Sequence, residues 1–114
     1  MSDEKRDRIR DLNDAFRWSL VEPPAKGKLY MTAGVAAHGE PFGIRVVAAI
    51  ALFDAFKDID PCGLHDMVRV TVDGVIVYGK IDYFAQADPD LGSEDPSNVE
   101  ITERVMTLML AEEY

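Results

Sequence analysis

The dipeptide Asp73-Gly74 constrains the fold more than any other feature of the chain. It separates two runs rich in β-branched and aromatic residues, 67–72 and 75–84. Asp-Gly is a preferred pair for a type I′ turn, in which both residues have positive φ. The two runs are therefore predicted to pair as an antiparallel hairpin. In a two-residue loop Val72 faces Val75, and this register fixes every pair further along the strands.

Side chains alternate between the two faces of the predicted hairpin. One face is amphipathic and carries Arg69, Tyr78 and Lys80. At its open end the register places His65 opposite Asp82, so we predict a partly buried His65 bonded to Asp82 or to a backbone carbonyl in the turn 58–63. The other face is apolar and predicted to be core: Val68, Val70, Val72, Val75, Val77 and Ile81.

The 114 residues are expected to form one domain, 1–114. Apolar periodicity predicts a helix over 3–20, ended by Glu22-Pro23-Pro24, and a short strand over 28–32. A small-residue turn at 33–37 and a central helix from Pro41 to about Lys57 follow.

After the hairpin we expect a polar loop over 85–95. The spacing of Ser97 and Glu100 matches a capping box, which predicts a final helix with Ile101, Val105, Leu108 and Met109 on one stripe. The order is therefore α-β-α-β-β-α: an α+β domain whose small antiparallel sheet is covered by about three helices.

The net charge of −9 is unevenly distributed along the chain. Residues 1–53 carry 8 basic and 7 acidic side chains, whereas residues 54–114 carry 4 and 14. A negative field repels phosphate backbones, so we expect no direct nucleic-acid binding and a partner with a basic surface. The carboxylates expected to bind it are in the polar loop: Asp88, Asp90, Glu94 and Asp95.

Trp18 lies opposite the core stripe of the first helix, which indicates a second packing surface or a partner contact. The chain has no long apolar segment, so we expect a cytoplasmic protein without membrane contact. Its single cysteine, Cys62, excludes an intrachain disulfide, and no cofactor motif is present.

Five segments carry a family resemblance: TAGV at 32–35, FDAF at 53–56, DPCGLHD at 60–66, KIDY at 80–83 and MLAEEY at 109–114. Together they resemble a bacterial family known as a domain of unknown function, whose members are often carried on plasmids and other mobile elements. The resemblance extends from about Arg8 to Tyr114 and implies no activity. Gly79 and Met67 stand where the family has aromatic residues, so a pocket beside His65 and Asp82 is expected to differ in shape.

His65 and Asp82 are the candidate catalytic residues, as a base and the carboxylate that orients it. Cys62 is three residues from His65, but its spacing enforces no contact. A metal site is not expected, because Asp66 points away from His65 on a strand and too few ligands converge.

The leading hypothesis is a non-catalytic accessory factor of a mobile element that binds a basic partner protein. One version inhibits a host defence or nucleic-acid enzyme by occupying its basic groove. The alternatives are a hydrolase that uses His65 and Asp82, and a dimeric structural protein.

Overall fold

The computed structural model describes residues 1–21 and 27–114, and it shows an α+β fold with helices on one face of a five-stranded, mostly antiparallel sheet. The predicted fold class is confirmed. Strands β1 (Lys28–Met31) and β2 (Met67–Val72) are the two ends of the main sheet order, β1-β5-β3-β2. Between them lie β3 (Val75–Ala85) and β5 (Thr102–Leu110), and β4 (Asp88–Gly92) pairs with the far end of β3.

The β2–β3 hairpin has the predicted turn and register. Asp73 and Gly74 have φ values of 53° and 77°, and Val72 pairs with Val75. The predicted core face is buried or packs on the core, where α3 (Glu40–Leu52) covers it. The opposite face of the sheet carries Arg69 and Tyr78 and has no helix over it among the described elements.

The predicted final helix is wrong, because residues 102–110 form the central strand β5. This strand pairs antiparallel with β3 and parallel with β1. Its inward side chains follow a two-residue period and include Met106, Leu108 and Leu110. Backbone pairing on both edges and burial of this face outweigh the local capping signal at Ser97, whose side chain instead bonds within the 95–97 turn.

The predicted polar loop over 85–95 contains strand β4, which forms a second hairpin with β3. The composition of β4 predicts a loop rather than a strand, because Asp, Pro and Gly are all depleted in strands. Pro89 is tolerated because β4 lies at an edge of the sheet.

Helix α1 (Asp3–Trp18) matches the prediction, with a 3₁₀ turn over Ser19–Val21 and a buried Ile9 and Phe16. The predicted break at Glu22-Pro23-Pro24 lies outside the described residues. Helix α2 (Ala33–Ala36) is the predicted single turn.

Helix α3 begins beside Pro41 but ends at Leu52, five residues before the prediction. Phe53 adopts an extended conformation with ψ of 135°, and its ring meets that of Phe56 edge-on with centroids 4.9 Å apart. The helix thus ends where the backbone of Phe53 becomes extended, and this conformation accompanies the packing of the two rings. In the part of the chain that the structure describes, no helix has both the length and the apolar character needed to cross a membrane.

The C-terminal 3₁₀ turn, Ala111–Glu113, is tied to the start of α2. The Glu113 carboxylate accepts hydrogen bonds from the Thr32 hydroxyl at 2.6 Å, the Gly34 amide at 3.2 Å and the Leu110 amide at 2.8 Å. These bonds hold the pKa of Glu113 below its usual range. Two segments distant in sequence, 32–35 and 109–114, thus meet through one carboxylate.

Candidate functional site

His65 closes a tight turn between α3 and β2, and its backbone has a φ of 55°. The Asp60 carboxylate holds the turn by accepting the backbone amides of Leu64 at 3.1 Å and His65 at 3.2 Å. Gly63, with φ of 72°, supplies a second left-handed position. Positive φ is uncommon for residues other than glycine, although histidine is among those in which it is enriched, and here the surrounding contacts hold His65 in it.

The imidazole of His65 lies between two carboxylates and against one aromatic ring. Its Nδ1 is 2.9 Å from Oδ1 of Asp14 on α1, and its Nε2 is 3.6 Å from Oδ2 of Asp60. The ring stacks on Phe56 with centroids 3.8 Å apart and planes 6° from parallel. His65 is partly buried, as predicted, and it joins α1, the turn and the chain that enters β2.

The predicted contact between His65 and Asp82 is wrong, and among the described residues the imidazole nitrogens face the carboxylates of Asp14 and Asp60 rather than a backbone carbonyl of the turn 58–63. The hairpin register does continue past β2, since the Ile81 amide donates to the Asp66 carbonyl at 2.9 Å. The left-handed backbone at His65, however, turns its side chain away from the ribbon towards α1. Asp82 stays on the open face, 3.5 Å from Nζ of Lys80.

Gly79 and Met67 were expected to change the shape of a pocket beside His65 and Asp82, but neither residue lies beside His65. Gly79 faces the core, where an added Cβ would lie 2.7 Å from Cδ1 of Ile50 on α3. Met67 begins β2 on the open face, opposite Lys80. Gly79 therefore affects the packing of α3 on the sheet, and Met67 affects the open face, so neither residue shapes the surroundings of His65.

Arg17 extends the polar cluster around Asp14. Its Nη1 donates to Oδ1 of Asp14 at 2.9 Å, and its guanidinium lies 4.9 Å from the Phe56 ring centroid and 6.0 Å from that of Trp18. The Arg17 side chain is only 3% exposed, whereas Trp18 is 62% exposed. We name Asp14, Arg17, Phe56, Asp60 and His65 the His65 cluster.

The His65 cluster sets an imidazole between two carboxylates, and among the described residues no nucleophile contacts that imidazole. Cys62 is exposed, and the described residues show no hydrogen bond between its thiol and His65. Nε2 of His65 faces the Asp60 carboxylate, so it is not directed at a hydroxyl or thiol whose proton it could accept. Across residues 1–21 and 27–114, no three His, Cys, Asp or Glu side chains are grouped to hold a metal ion.

A buried polar network lies beside the His65 cluster, and the sequence alone did not predict it. Asn13 is fully buried, and its amide group donates to the Leu64 carbonyl at 2.9 Å and the Tyr83 hydroxyl at 2.8 Å. Its Oδ1 accepts from Nε of Arg104 at 2.7 Å. The Tyr83 hydroxyl donates to Asp66 at 3.0 Å. The one sequence signal was Asn13 itself, a polar residue four positions after Ile9 on the apolar stripe.

Burial sets the electrostatics of this network. Desolvation raises the pKa of Asp66 and the pKa of Tyr83 above their ordinary values, and it lowers the pKa of Arg104. Each shift disfavours the charged form of the group, as expected for ionisable side chains removed from water. The network docks α1 on the sheet and positions the chain beside His65.

The second candidate site is the acidic hairpin, which we define as β4 and the turn that follows it to Asp95. Oδ1 of Asp88 accepts the Asp90 amide at 3.0 Å. Asp95 accepts from Ser97 and lies 3.5 Å from Nζ of Lys5. Ser97 is the main cause of the lowered pKa of Asp95. Two of the four predicted carboxylates are therefore used in part to shape the hairpin itself.

The other two carboxylates face solvent. Asp90 and Glu94 are exposed, and neither has an ion-pair partner in the described part of the chain. Leu91, next to Asp90 in sequence, is 58% exposed. The acidic hairpin thus presents an apolar side chain between two acidic residues.

Of the remaining predicted binding residues, the three on the β2–β3 hairpin do not join either site. Arg69 pairs with Tyr78 on the open sheet face, with Lys80 two residues further along β3. The Tyr78 ring lies 5.3 Å from that of Tyr114. Trp18 is on the helical side beside the His65 cluster. The structure therefore divides the predicted residues into three separate surfaces.

A protein-family model described as "Protein of unknown function (DUF3768)" matches residues 31–113. The chain belongs to this family. The match includes the acidic hairpin, the β2–β3 hairpin and His65, whereas Asp14 and Arg17 of the His65 cluster lie before it. Neither the curated proteins nor the solved structures gave a significant match.

Proposed function

We propose that this protein is a non-catalytic binding module that docks the acidic hairpin on a basic partner protein. The observation that carries the proposal is the exposed Leu91 beside Asp90, with Glu94 close after it. An apolar anchor within complementary charge is a common arrangement at protein interfaces, where the anchor supplies affinity and the charges supply orientation and association rate.

The excess of acidic residues supports a basic partner. Residues 54–114 carry 14 acidic and 4 basic side chains, and the acidic hairpin belongs to this half. In one concrete form, the hairpin occupies a basic groove of a nucleic-acid or defence enzyme in the cytoplasm and so inhibits it. The resemblance to proteins of mobile elements agrees with such an accessory role.

The His65 cluster favours binding over catalysis for this chain. His65 bonds to Asp14 and stacks on Phe56, and these contacts join α1 to the turn that enters β2. A clasp of this kind explains the left-handed backbone at His65 without any reaction. We therefore assign His65 to stability rather than to chemistry.

The test is capture of partners from cells that naturally carry the protein, followed by mass spectrometry. The combined variant Asp90→Asn and Glu94→Gln should weaken capture of the identified partner, and Leu91→Ser should weaken it further. The matched control is Glu4→Gln with Glu112→Gln, which removes the same charge at exposed sites elsewhere and should leave capture unchanged. Capture should also weaken with salt, since the Debye length falls from about 10 Å at 0.1 M to about 3 Å at 1 M.

His65→Ala separates binding from catalysis. A folded His65→Ala variant should still capture the partner. If its biological effect is lost while capture persists, and the Asp90 and Glu94 changes have no effect, the binding proposal is wrong and the cluster is an active site.

A further inference from the structure

Strand β2 ends the sheet with backbone groups that have no strand beside them. In an antiparallel pair, alternate residues direct both their backbone groups at the partner strand. The Ile81 amide donates to the Asp66 carbonyl, so the even-numbered residues of β2 bond to β3. The amides and carbonyls of Met67, Arg69 and Thr71 therefore point outward, and no described strand pairs with them.

The β2 edge also lacks the features that usually prevent strands from associating. Its six residues, Met67–Val72, contain no proline, no glycine and one charge, Arg69, and they pair with β3 without a bulge. Edge strand β4 is different, because it contains Pro89, two aspartates and a register shift where it joins β3. Proteins blunt free edges with such features, so an unprotected edge is suited to pairing.

We infer that the outer edge of β2 binds the same edge of a second copy of this chain. The two strands would run antiparallel about a two-fold axis, which joins two sheets into one continuous sheet. An isologous contact of this kind closes on itself and produces a dimer rather than a fibre.

Charge complementarity along β2 favours a second copy and selects its register. Pairing centred on Arg69 would oppose two arginines, which is destabilising. Pairing centred on Thr71 instead opposes the two threonines, which is a favourable cross-strand pair, and places Arg69 opposite Asp73 in the turn of the other copy. The Asp73 side chain is 54% exposed where it pairs with Arg45, so its carboxylate can also bind Arg69 of the other copy. The two-fold axis repeats this ion pair on both sides.

Helix α3 adds an apolar surface beside the same edge. It packs over β2, and Arg45 on it forms an ion pair with Asp73 at the end of the strand. Leu52 lies seven residues after Arg45, on the same face of the helix, and it is 81% exposed. In the joined sheet the two α3 helices lie on the same side and flank the junction.

The net charge of −9 does not oppose this contact strongly, because the acidic hairpin lies elsewhere. Strand β4 pairs with Phe84 and Ala85 at the end of β3, whereas β2 pairs with residues 75–80 at its beginning. Because β5 takes the other edge of β3, β4 lies in line with β2, and the two acidic hairpins would stand at opposite ends of the paired β2 strands, several Debye lengths apart at physiological salt.

Sedimentation equilibrium of the full chain from micromolar to millimolar protein tests the inference. The parent should approach twice the mass of one chain as concentration rises. Thr71→Pro removes an outward amide without removing a bond to β3, so it should abolish the dimer and leave the monomer folded. Arg69→Glu should raise the dimer dissociation constant about tenfold or more, because a favourable pair becomes a repulsive one.

Lys80→Glu is the matched control. It makes the same change of charge on the same sheet face, one strand inward, and should leave the dimer intact. Circular dichroism and thermal melting establish that each variant is folded.

Amide hydrogen exchange identifies the surface. In concentrated parent protein, the amides of Arg69 and Thr71 should gain protection relative to dilute protein, whereas that of Val70, already bonded to β3, should not change. A protein that stays monomeric at millimolar concentration overturns the inference. So does a dimer that forms without added protection at Arg69 and Thr71, or that persists in folded Thr71→Pro.

Discussion

At the scale of single residues, the Glu113 carboxylate is expected to stabilise the folded chain through the three hydrogen bonds that it accepts. Glu113→Gln should lower the melting temperature, because the amide replaces a carboxylate that accepts three hydrogen bonds. The neighbouring Glu112→Gln is the control, since it changes the same charge on an exposed side chain. Equal melting temperatures for the two variants would contradict this role.

The effect of Glu113 should depend on pH. Its folded pKa is lowered, so its contribution is present above the ordinary value of 4.5 and is lost as pH falls through the folded pKa. The difference in stability between the parent and Glu113→Gln should therefore disappear in acid. Denaturant unfolding at several pH values measures this difference.

Asp66 should show the opposite dependence. Burial raises its folded pKa, so its contribution is fully present below the ordinary value of 3.8 and is lost as pH rises through the folded pKa. Asp66→Asn keeps an oxygen that can accept the Tyr83 hydroxyl and removes the titration. Relative to the parent, Asp66→Asn should gain stability as pH rises from acid to neutral. A constant difference across that range would show that Asp66 is not desolvated.

Asn13 tests the buried network directly. Asn13→Ala removes the acceptor for Nε of Arg104 and two donated hydrogen bonds. A buried charged donor without its partner costs about 3 kcal/mol. Chemical denaturation should show a loss of that size, with Ala15→Ser on the exposed side of the same helix as a nearly neutral control. A loss below about 1 kcal/mol would mean that water replaces the missing acceptor.

At the scale of secondary-structure elements, the turn of the β2–β3 hairpin depends on glycine. Gly74 has φ of 77° with open space around its Cα, so Gly74→Ala meets no neighbour and is penalised only by its backbone conformation. That conformation costs about 1–2 kcal/mol for a residue with a Cβ. Gly92→Ala on β4 is the control, because its backbone is not left-handed. Equal unfolding free energies for the two variants would contradict the type I′ turn.

The same hairpin shows which elements the sequence could predict. Its turn chemistry and its alternating valines are local signals, and they determined both register and core face. Strand β5 is not visible locally, since its stability comes from two neighbours that are distant in sequence. The candidate site likewise combines local and long-range contacts. Asp60 and His65 share a local turn, whereas Asp14 reaches His65 only because α1 docks on the sheet.

At the scale of the whole molecule, the acidic hairpin and the β2 edge are separate surfaces that meet β3 at opposite ends. Their functions should therefore be separable by mutation. Asp90→Asn with Glu94→Gln should leave the dimer mass unchanged, and Thr71→Pro should leave the one-to-one affinity for the partner unchanged in solution. Effects of distant changes usually add, so any strong cross-effect would show that the surfaces are coupled.

Dimerisation should nevertheless slow the dissociation of this protein from a surface on which the partner is densely immobilised. A dimer presents two acidic hairpins, and once the first has bound, the second binds at a high effective concentration. On densely immobilised partner, the parent should therefore dissociate more slowly than Thr71→Pro, whereas on sparse partner the two should dissociate alike. Surface plasmon resonance at two partner densities measures both rates. Equal dissociation at both densities, with the parent shown to be dimeric, would mean that only one hairpin of the pair can engage at a time.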